Sequence, residues 1–425
     1  MPRVHHLDAN RRVGAWKRRY GAWTSGCPLE ETGPYGPMLA PGLPVQRALI
    51  PAIGQSKFPC ERQIMAERLP RETEDLFDEL GVESPPRDIG GDRARTGTVL
   101  RVTTKRWGVA VLKIPNHRSI AERYDREAAM LTLLEMESSP STPALLKYEP
   151  GTIASNESNM NRHGQFLLMN ELPGRPGDAA IGLLQSEVQM TLRAIAPLHA
   201  AWWNRSPHAL ELPRWGSGSR NSSNPHERRI RRYQNRCVPF LNRLQKTGAF
   251  LEDDEEGILS LMHQVQGSLA EDIASLTSGE TTLIHGDLHP ENLLFSDGAP
   301  SVIDWQTASI GPVMQDIVRL SAEALRGPDA ASDMIDVIEE HLHELERLGV
   351  HPDAIDGARG AIDSCLRLLF AGVVSGYGTD APLTPRDETV ARVHASRDGL
   401  AGILSRHFKL DIRLPRAPQE EHHHD

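Results

Sequence analysis

The stretch LIHGDLHPENLLF, Leu283 to Phe295, constrains this chain more than any other. It sets two histidines, two carboxylates and an asparagine between two short apolar pairs. Ionisable and metal-capable groups crowded in this way suit three kinds of site. One is a metal cluster, one a phosphoester-cleaving centre, and one a loop that guides phosphoryl transfer. The rest of the sequence has to discriminate among them.

At 425 residues, 39% of them hydrophobic, the chain has room for two or three domains with ordinary cores. A mean hydropathy of −0.42 and 24% charged residues fit a soluble protein. The longest apolar stretches, such as LRLLFAGVV (Leu366 to Val374), are too short to span a bilayer. No apolar segment follows the basic N-terminus in the manner of a signal peptide. Cys27, Cys60, Cys237 and Cys365 are scattered, with no CxxC pair. That pattern argues against a disulfide framework or a cysteine zinc site and for a cytoplasmic location. A net charge of −10 argues against a nucleic-acid partner, while an acidic surface tolerates a cationic small substrate.

Three regions follow one another. Residues 1–64 are basic and aperiodic at first, then punctuated by Pro and Gly, and read as a disordered or non-native extension. Residues 65–170 open with an amphipathic helix at Met65. They continue with two β-branched runs, around Val99–Val102 and Val109–Leu112, separated by TTKRWG in the manner of a hairpin. The run Ser119 to Glu137 then places Ala121, Tyr124, Ala128, Leu131 and Leu134 on one helical face. Strands are expected at ALLKYEP and GQFLLMNEL. Residues 171–425 are mostly helical, interrupted by the opening motif and by PSVIDW. The expected fold is α+β and two-lobed: a small antiparallel-sheet lobe, an extended crossing near Met169 to Leu172, and a larger helical lobe.

Set against the kinase catalytic-loop pattern H-x-D-L-x-x-x-N, the motif supplies His285, Asp287, Leu288 and Asn292 at every specified position. The spacing has a chemical reason. The aspartate accepts the proton of an attacking hydroxyl, while the asparagine oxygen reaches a magnesium ion on the phosphates. Such an ion takes oxygen ligands and keeps several waters, so a second protein ligand suffices, and SVIDW offers Asp304. Upstream, VAVLK ends a strand on Lys113, placed to grip phosphates, with Glu127 on the next helix as its partner.

The residues LIHGDLHPENLLF, SVIDWQTASIGPVMQDIVRL and LRAIAPLHAAWW resemble the aminoglycoside phosphotransferase and choline kinase group, leaning towards its ecdysteroid-kinase-like, CHK-like branch. The resemblance runs from about Arg95 to Leu410. It implies a two-lobed protein-kinase-like fold, ATP bound between the lobes, and phosphorylation of a small-molecule hydroxyl. With the motif's magnesium site, the expected cofactors are ATP and Mg2+, and the expected acceptor is a cationic or hydrophobic small molecule. The resemblance also implies that His285 and Asp316 brace the catalytic loop. Backbone groups at Met169, Glu171 and Leu172 would face adenine.

The sequence departs from the pattern at the nucleotide-covering loop, where IGGDRARTGTV lacks G-x-G-x-x-G. Backbone N–H groups at Gly90, Gly91 and Thr96 are the candidates for covering phosphates there. This departure keeps open a non-catalytic, kinase-shaped binding protein. A dinuclear metallophosphoesterase would need G-D-x-x-D and G-N-H blocks, which the sequence lacks. His289 reads as a loop-packing or substrate-side histidine. Trp202 and Trp203 read as core.

Overall fold

The computed structural model describes residues 72–90, 97–115, 118–137, 140–150, 152–153, 162–163, 165–179, 181–205, 212–215, 225–246, 255–326 and 329–377. All of them belong to one compact unit, Leu69–Asp425. The expectations for residues 1–64, and for Gly91 and Thr96, fall outside these residues.

The small lobe begins with helix α1 (Glu72–Leu80) and a two-residue strand β1 (Arg87–Asp88). Strands β2 (Gly97–Thr104) and β3 (Gly108–Pro115) form the expected hairpin, with Gly97 opposite Pro115 and Thr104 opposite Gly108. Gly108, at φ 69°, closes the turn in the left-handed region. Helix α2 (Arg118–Glu137) follows, and its five predicted inward residues are all buried. Strand β4 (Leu145–Glu149), the short pair β5 (Thr152–Ile153) and β6 (Arg162–His163), and β7 (Phe166–Asn170) complete the lobe. The main sheet runs β1-β2-β3-β7-β4 and is antiparallel throughout. In it Val111 faces Met169 and Lys113 faces Leu167. Since side chains alternate across a strand, Val111 and Lys113 share the face whose Leu167 and Met169 pack into the main core beside α2.

The chain then passes Glu171 and Leu172 and a two-residue strand β8 (Arg175–Pro176) into the larger lobe. Helix α3 (Gln185–Ala201) is capped where Glu187 Oε2 accepts the Leu184 N–H at 3.0 Å, satisfying one otherwise unpaired donor. It packs against α7 (Ala330–Arg347). Helices α4 (Pro225–Lys246) and α5 (Glu255–Ser278) pack with α9 (Ile362–Tyr377). Helices α6 (Met314–Ala324) and α8 (Pro352–Arg359) fill the remaining sides.

Four short strands interrupt this helical lobe and carry the motifs. Strand β9 (Thr282–Ile284) pairs with β12 (Ser309–Gly311), and β10 (Leu293–Ser296) with β11 (Ala299–Val302). The β10–β11 turn is Asp297-Gly298, both at positive φ, as a two-residue hairpin requires. The catalytic-loop motif lies between β9 and β10, and Asp304 lies between β11 and β12. The fold is therefore the two-lobed, kinase-like α+β arrangement that the order of elements predicts. No helix among the described residues is long and apolar enough to cross a membrane.

Candidate active site

The loop that holds Asp287 is fixed from below. Asp316, fully buried in the first turn of α6, accepts the His285 N–H at 2.6 Å and the Gly286 N–H at 2.8 Å. The Thr307 hydroxyl donates to the His285 carbonyl at 3.0 Å. His285 uses both ring nitrogens: Nε2 lies 2.9 Å from Ile303 O, and Nδ1 accepts the Asp287 N–H at 3.2 Å. Burial lowers its pKa against the pull of Asp316 and keeps it neutral. It is a structural brace with no nitrogen left for a metal. Behind Asp316 lies a further buried pair: His199 Nε2 is 3.5 Å from Asp316 Oδ2, and His199 Nδ1 is 3.1 Å from His341 Nε2.

Asn292 ends a short 3₁₀ turn, Pro290–Asn292, and is 7% exposed. Its amide nitrogen donates to Asp287 O at 2.9 Å and contacts His289 Nε2 at 3.1 Å. The side-chain NH2 is thus occupied, and Oδ1 is the atom that could take a metal. His289 does more than pack the loop. It orients this amide and sits 3.7 Å from Asp287 Oδ2.

Lys113, Glu127 and Asp304 meet at one point. The Lys113 ammonium is 2.7 Å from Glu127 Oε1 and 2.7 Å from Asp304 Oδ1. Burial alone would depress this ammonium, but Asp304 and Glu127 raise it above its ordinary value, so it stays charged. Burial pushes the Glu127 carboxyl up to about 7 in spite of Lys113. Burial also works against ionised Asp304, yet Lys113 and Gln306 hold it below the usual carboxylate value. Gln306 Nε2 donates to Asp304 Oδ2 at 2.8 Å. Asp304 sits at φ 67°, ψ 58°, a left-handed backbone uncommon outside glycine that aims its carboxylate at Lys113. An ionised carboxylate and an amide oxygen are hard donors, and the Asp304 and Asn292 pair fits a magnesium ion by that chemistry.

Asp287 is 2.5 Å from the Nη1 of Arg319, a residue the sequence reading missed. Burial would raise this carboxyl, but His289 and Arg319 hold it well below the usual carboxylate range. The available signal was spacing: Arg319 lies three residues after Asp316 on α6, so both face the loop. Beside them opens a cavity of about 440 Å³ walled by Gly286, Trp215, Arg229, Arg232, Arg319 and Glu323, among others. Its arginines contrast with the acidic balance of the whole chain, from which a cationic partner was expected.

The predicted nucleotide contacts fare unevenly. Gly90 turns its N–H inward, to Asp88 Oδ1 at 3.0 Å and Val99 O at 3.3 Å, rather than outward to a phosphate. Met169 lies inside β7, paired to both β3 and β4 and 4% exposed, so its backbone is committed to the sheet. Glu171 and Leu172 leave the strand. The Glu171 carboxylate takes a bidentate contact from Arg101, at 2.8 and 3.0 Å. Trp202 and Trp203 are partly buried against the core as expected, with Trp203 Nε1 donating to Glu280 at 3.1 Å.

The sequence model of the phosphotransferase enzyme family (APH) matches residues 88–348. No curated protein matches the chain. Among solved structures, macrolide 2'-phosphotransferase of Brachybacterium faecium is similar at 19% identity and a TM-score of 0.45, over 80% of this chain and 97% of that one. Choline kinase of Streptococcus pneumoniae is similar at 16% identity and 0.43, over 80% and 98%. An aminoglycoside phosphotransferase of Alicyclobacillus acidocaldarius is similar at 15% identity and 0.45, over 84% and 98%.

Proposed function

The chain belongs to the phosphotransferase enzyme family, and on that premise we propose that it moves the γ-phosphate of ATP, with Mg2+, to a hydroxyl of a small molecule. The observation that carries this reading is the Lys113 ammonium, 2.7 Å from both Glu127 and Asp304, beside a braced loop that presents Asp287 and Asn292. These side chains come from both lobes, and their assembly in one cleft is what phosphoryl transfer asks of a protein: positioning and charge neutralisation.

Each group then has a role. Lys113 grips the phosphates, and Glu127 keeps its ammonium in place. Asn292 Oδ1 and Asp304 hold the magnesium ion, which when bound neutralises charge developing on the phosphate oxygens. Asp287 orients the acceptor hydroxyl. Because Arg319 and His289 keep it a weak base, it receives the proton late, as the new P–O bond forms and the hydroxyl becomes acidic. Gly286, His285 and Asp316 keep this carboxylate in register with the cleft.

Three variants test the assignment through ATP affinity and turnover measured separately. Asp287→Asn should bind Mg·ATP nearly as well as the parent while turnover falls by roughly 10²–10⁴-fold. Asp304→Asn should weaken magnesium-dependent ATP binding itself. His289→Ala should lower turnover by less than Asp287→Asn, because it disturbs the orientation of Asn292 and the charge around Asp287 but leaves the carboxylate itself in place. Phosphoester cleavage without ATP, or loss of metal binding in His289→Ala with Asp304→Asn intact, would overturn the reading. Magnesium-dependent ATP binding with no ATP consumption against any acceptor would identify a binding protein instead.

A further inference from the structure

Gly286, the chain neighbour of Asp287, and Arg319, 2.5 Å from that carboxylate, both line the cavity of about 440 Å³, and the charge on its wall is lopsided. Three arginines line it, Arg229, Arg232 and Arg319, against one glutamate, Glu323. Arg319 is already engaged, 2.5 Å from Asp287 and with its Nε 3.2 Å from Glu323 Oε1. That Nε is buried without the geometry of a hydrogen bond to any acceptor. Arg229 and Arg232, both on α4, have no carboxylate partner among the described residues. The Arg229 guanidinium lies 4.9 Å over the Trp215 ring, which flattens it against the cavity wall. Although the residue as a whole keeps solvent exposure, desolvation lowers its pKa from the ordinary arginine value.

In a chain whose net charge is −10, two arginines with no carboxylate partner among the described residues, in a concave site near Asp287, are a local reversal of sign. A low-dielectric wall focuses such a field on whatever occupies the cavity. Guanidinium forks match carboxylate and phosphate oxygens, which they hold bidentately. Leu269 of α5 and Leu368 and Leu369 of α9, which also line the cavity, offer apolar surface to the rest of the ligand.

Resting on the phosphotransferase reading, we propose that the cavity takes an anionic small molecule, a hydroxylated carboxylate or phosphate ester, which Arg229 and Arg232 hold by its anionic oxygens while its hydroxyl meets Asp287. The transfer is balanced: the acceptor oxygen bonds to the γ-phosphorus, the β–γ bridging bond breaks with its electrons leaving on ADP, and the hydroxyl proton passes to Asp287. The volume suits a ligand of sugar size.

Four six-carbon sugar derivatives vary the charge: glucose, glucosamine, gluconate and glucose 6-phosphate. Calorimetric binding to the full chain and ATP-dependent phosphorylation are followed in parallel. Gluconate or glucose 6-phosphate should bind more tightly than glucose, and glucosamine most weakly. The better of the two anions tells a carboxylate site from a phosphate one. Arg229→Gln and Arg232→Gln should each weaken the anion by about tenfold, as expected for a lost charged hydrogen bond. An anion that binds equally well in both arginine variants but is lost in Lys113→Ala occupies the nucleotide site, and overturns the proposal. So do glucosamine binding more tightly than both anions, equal binding of all four, or no anion binding at all. The two readings also fail separately. Phosphorylation of glucosamine in preference to gluconate keeps the kinase and removes the anion site. Arginine-dependent anion binding with no ATP consumption keeps the site and removes the kinase.

Discussion

Gly286 holds φ at 78°, and a Cβ there would lie 2.5 Å from the Thr307 carbonyl oxygen. No L side chain fits without moving the backbone that presents Asp287. Gly286→Ala should therefore destabilise the protein by about 1–3 kcal/mol, in the range of a strained backbone position, and abolish most turnover. Gly298 is the control: it has the same φ, 78°, but no heavy atom within 4 Å of a Cβ, so Gly298→Ala should cost only about 1 kcal/mol, with turnover intact. Urea denaturation and steady-state rates on both variants distinguish the close approach from φ alone. At the same scale, Lys113→Ala should lower turnover more than Glu127→Gln, and the double variant should be little worse than Lys113→Ala. Additive losses would argue against a shared role. Lys113, Glu127 and the catalytic-loop residues could be picked out in the sequence because the motif pattern fixes residue types and local spacing. Arg319 could not, because its contact with Asp287 depends on how α6 lies against the loop. Arg229 and Arg232 were hidden for the same reason, since their place on the cavity wall depends on how α4 lies against α5 and α9.

Asp272 joins α5 to α9. Its Oδ1 accepts the Ser364 hydroxyl at 2.8 Å and Arg367 Nη2 at 2.6 Å, and its Oδ2 accepts Arg367 Nε and the Ser268 hydroxyl, both at 2.8 Å. Burial would raise this carboxyl, but Arg367 and the two serines hold it below its ordinary 3.8. A depressed carboxylate stabilises the fold fully above the unfolded value, and that contribution is lost as pH falls through the folded one. The thermal midpoint should therefore fall on acidification below about pH 4 in the parent, and this part of the fall should be absent in Asp272→Asn. At neutral pH, Asp272→Asn should cost about 3 kcal/mol, the loss expected when one partner of a buried pair is removed. Helix α2 was legible to its inward face, because five apolar residues at helical spacing leave little choice. The hairpin of β10 and β11 was carried by the Asp297-Gly298 signal but obscured by the chemistry-bearing motifs on either side of it.

Across the whole molecule, strands followed by helices, with an extended crossing between, were enough to foresee two lobes. The sign of the cavity beside Arg319 was not foreseeable, because a net charge of −10 averages over a surface and says nothing about one concave wall. The same scale gives the Lys113 contacts a kinetic meaning. Glu127 belongs to the small lobe and Asp304 to the large one, so a single ammonium ties the lobes together through two part-buried contacts of 2.7 Å. A phosphate can claim that ammonium only after Asp304 gives it up. Nucleotide capture should then be a two-step event, a fast encounter followed by a unimolecular exchange of partners. In stopped-flow measurements with a fluorescent ATP analogue, the observed rate should level off at high nucleotide concentration. Asp304→Asn, lacking the charge that holds the clasp shut, should give a line that keeps rising, trading tight binding for speed of arrival.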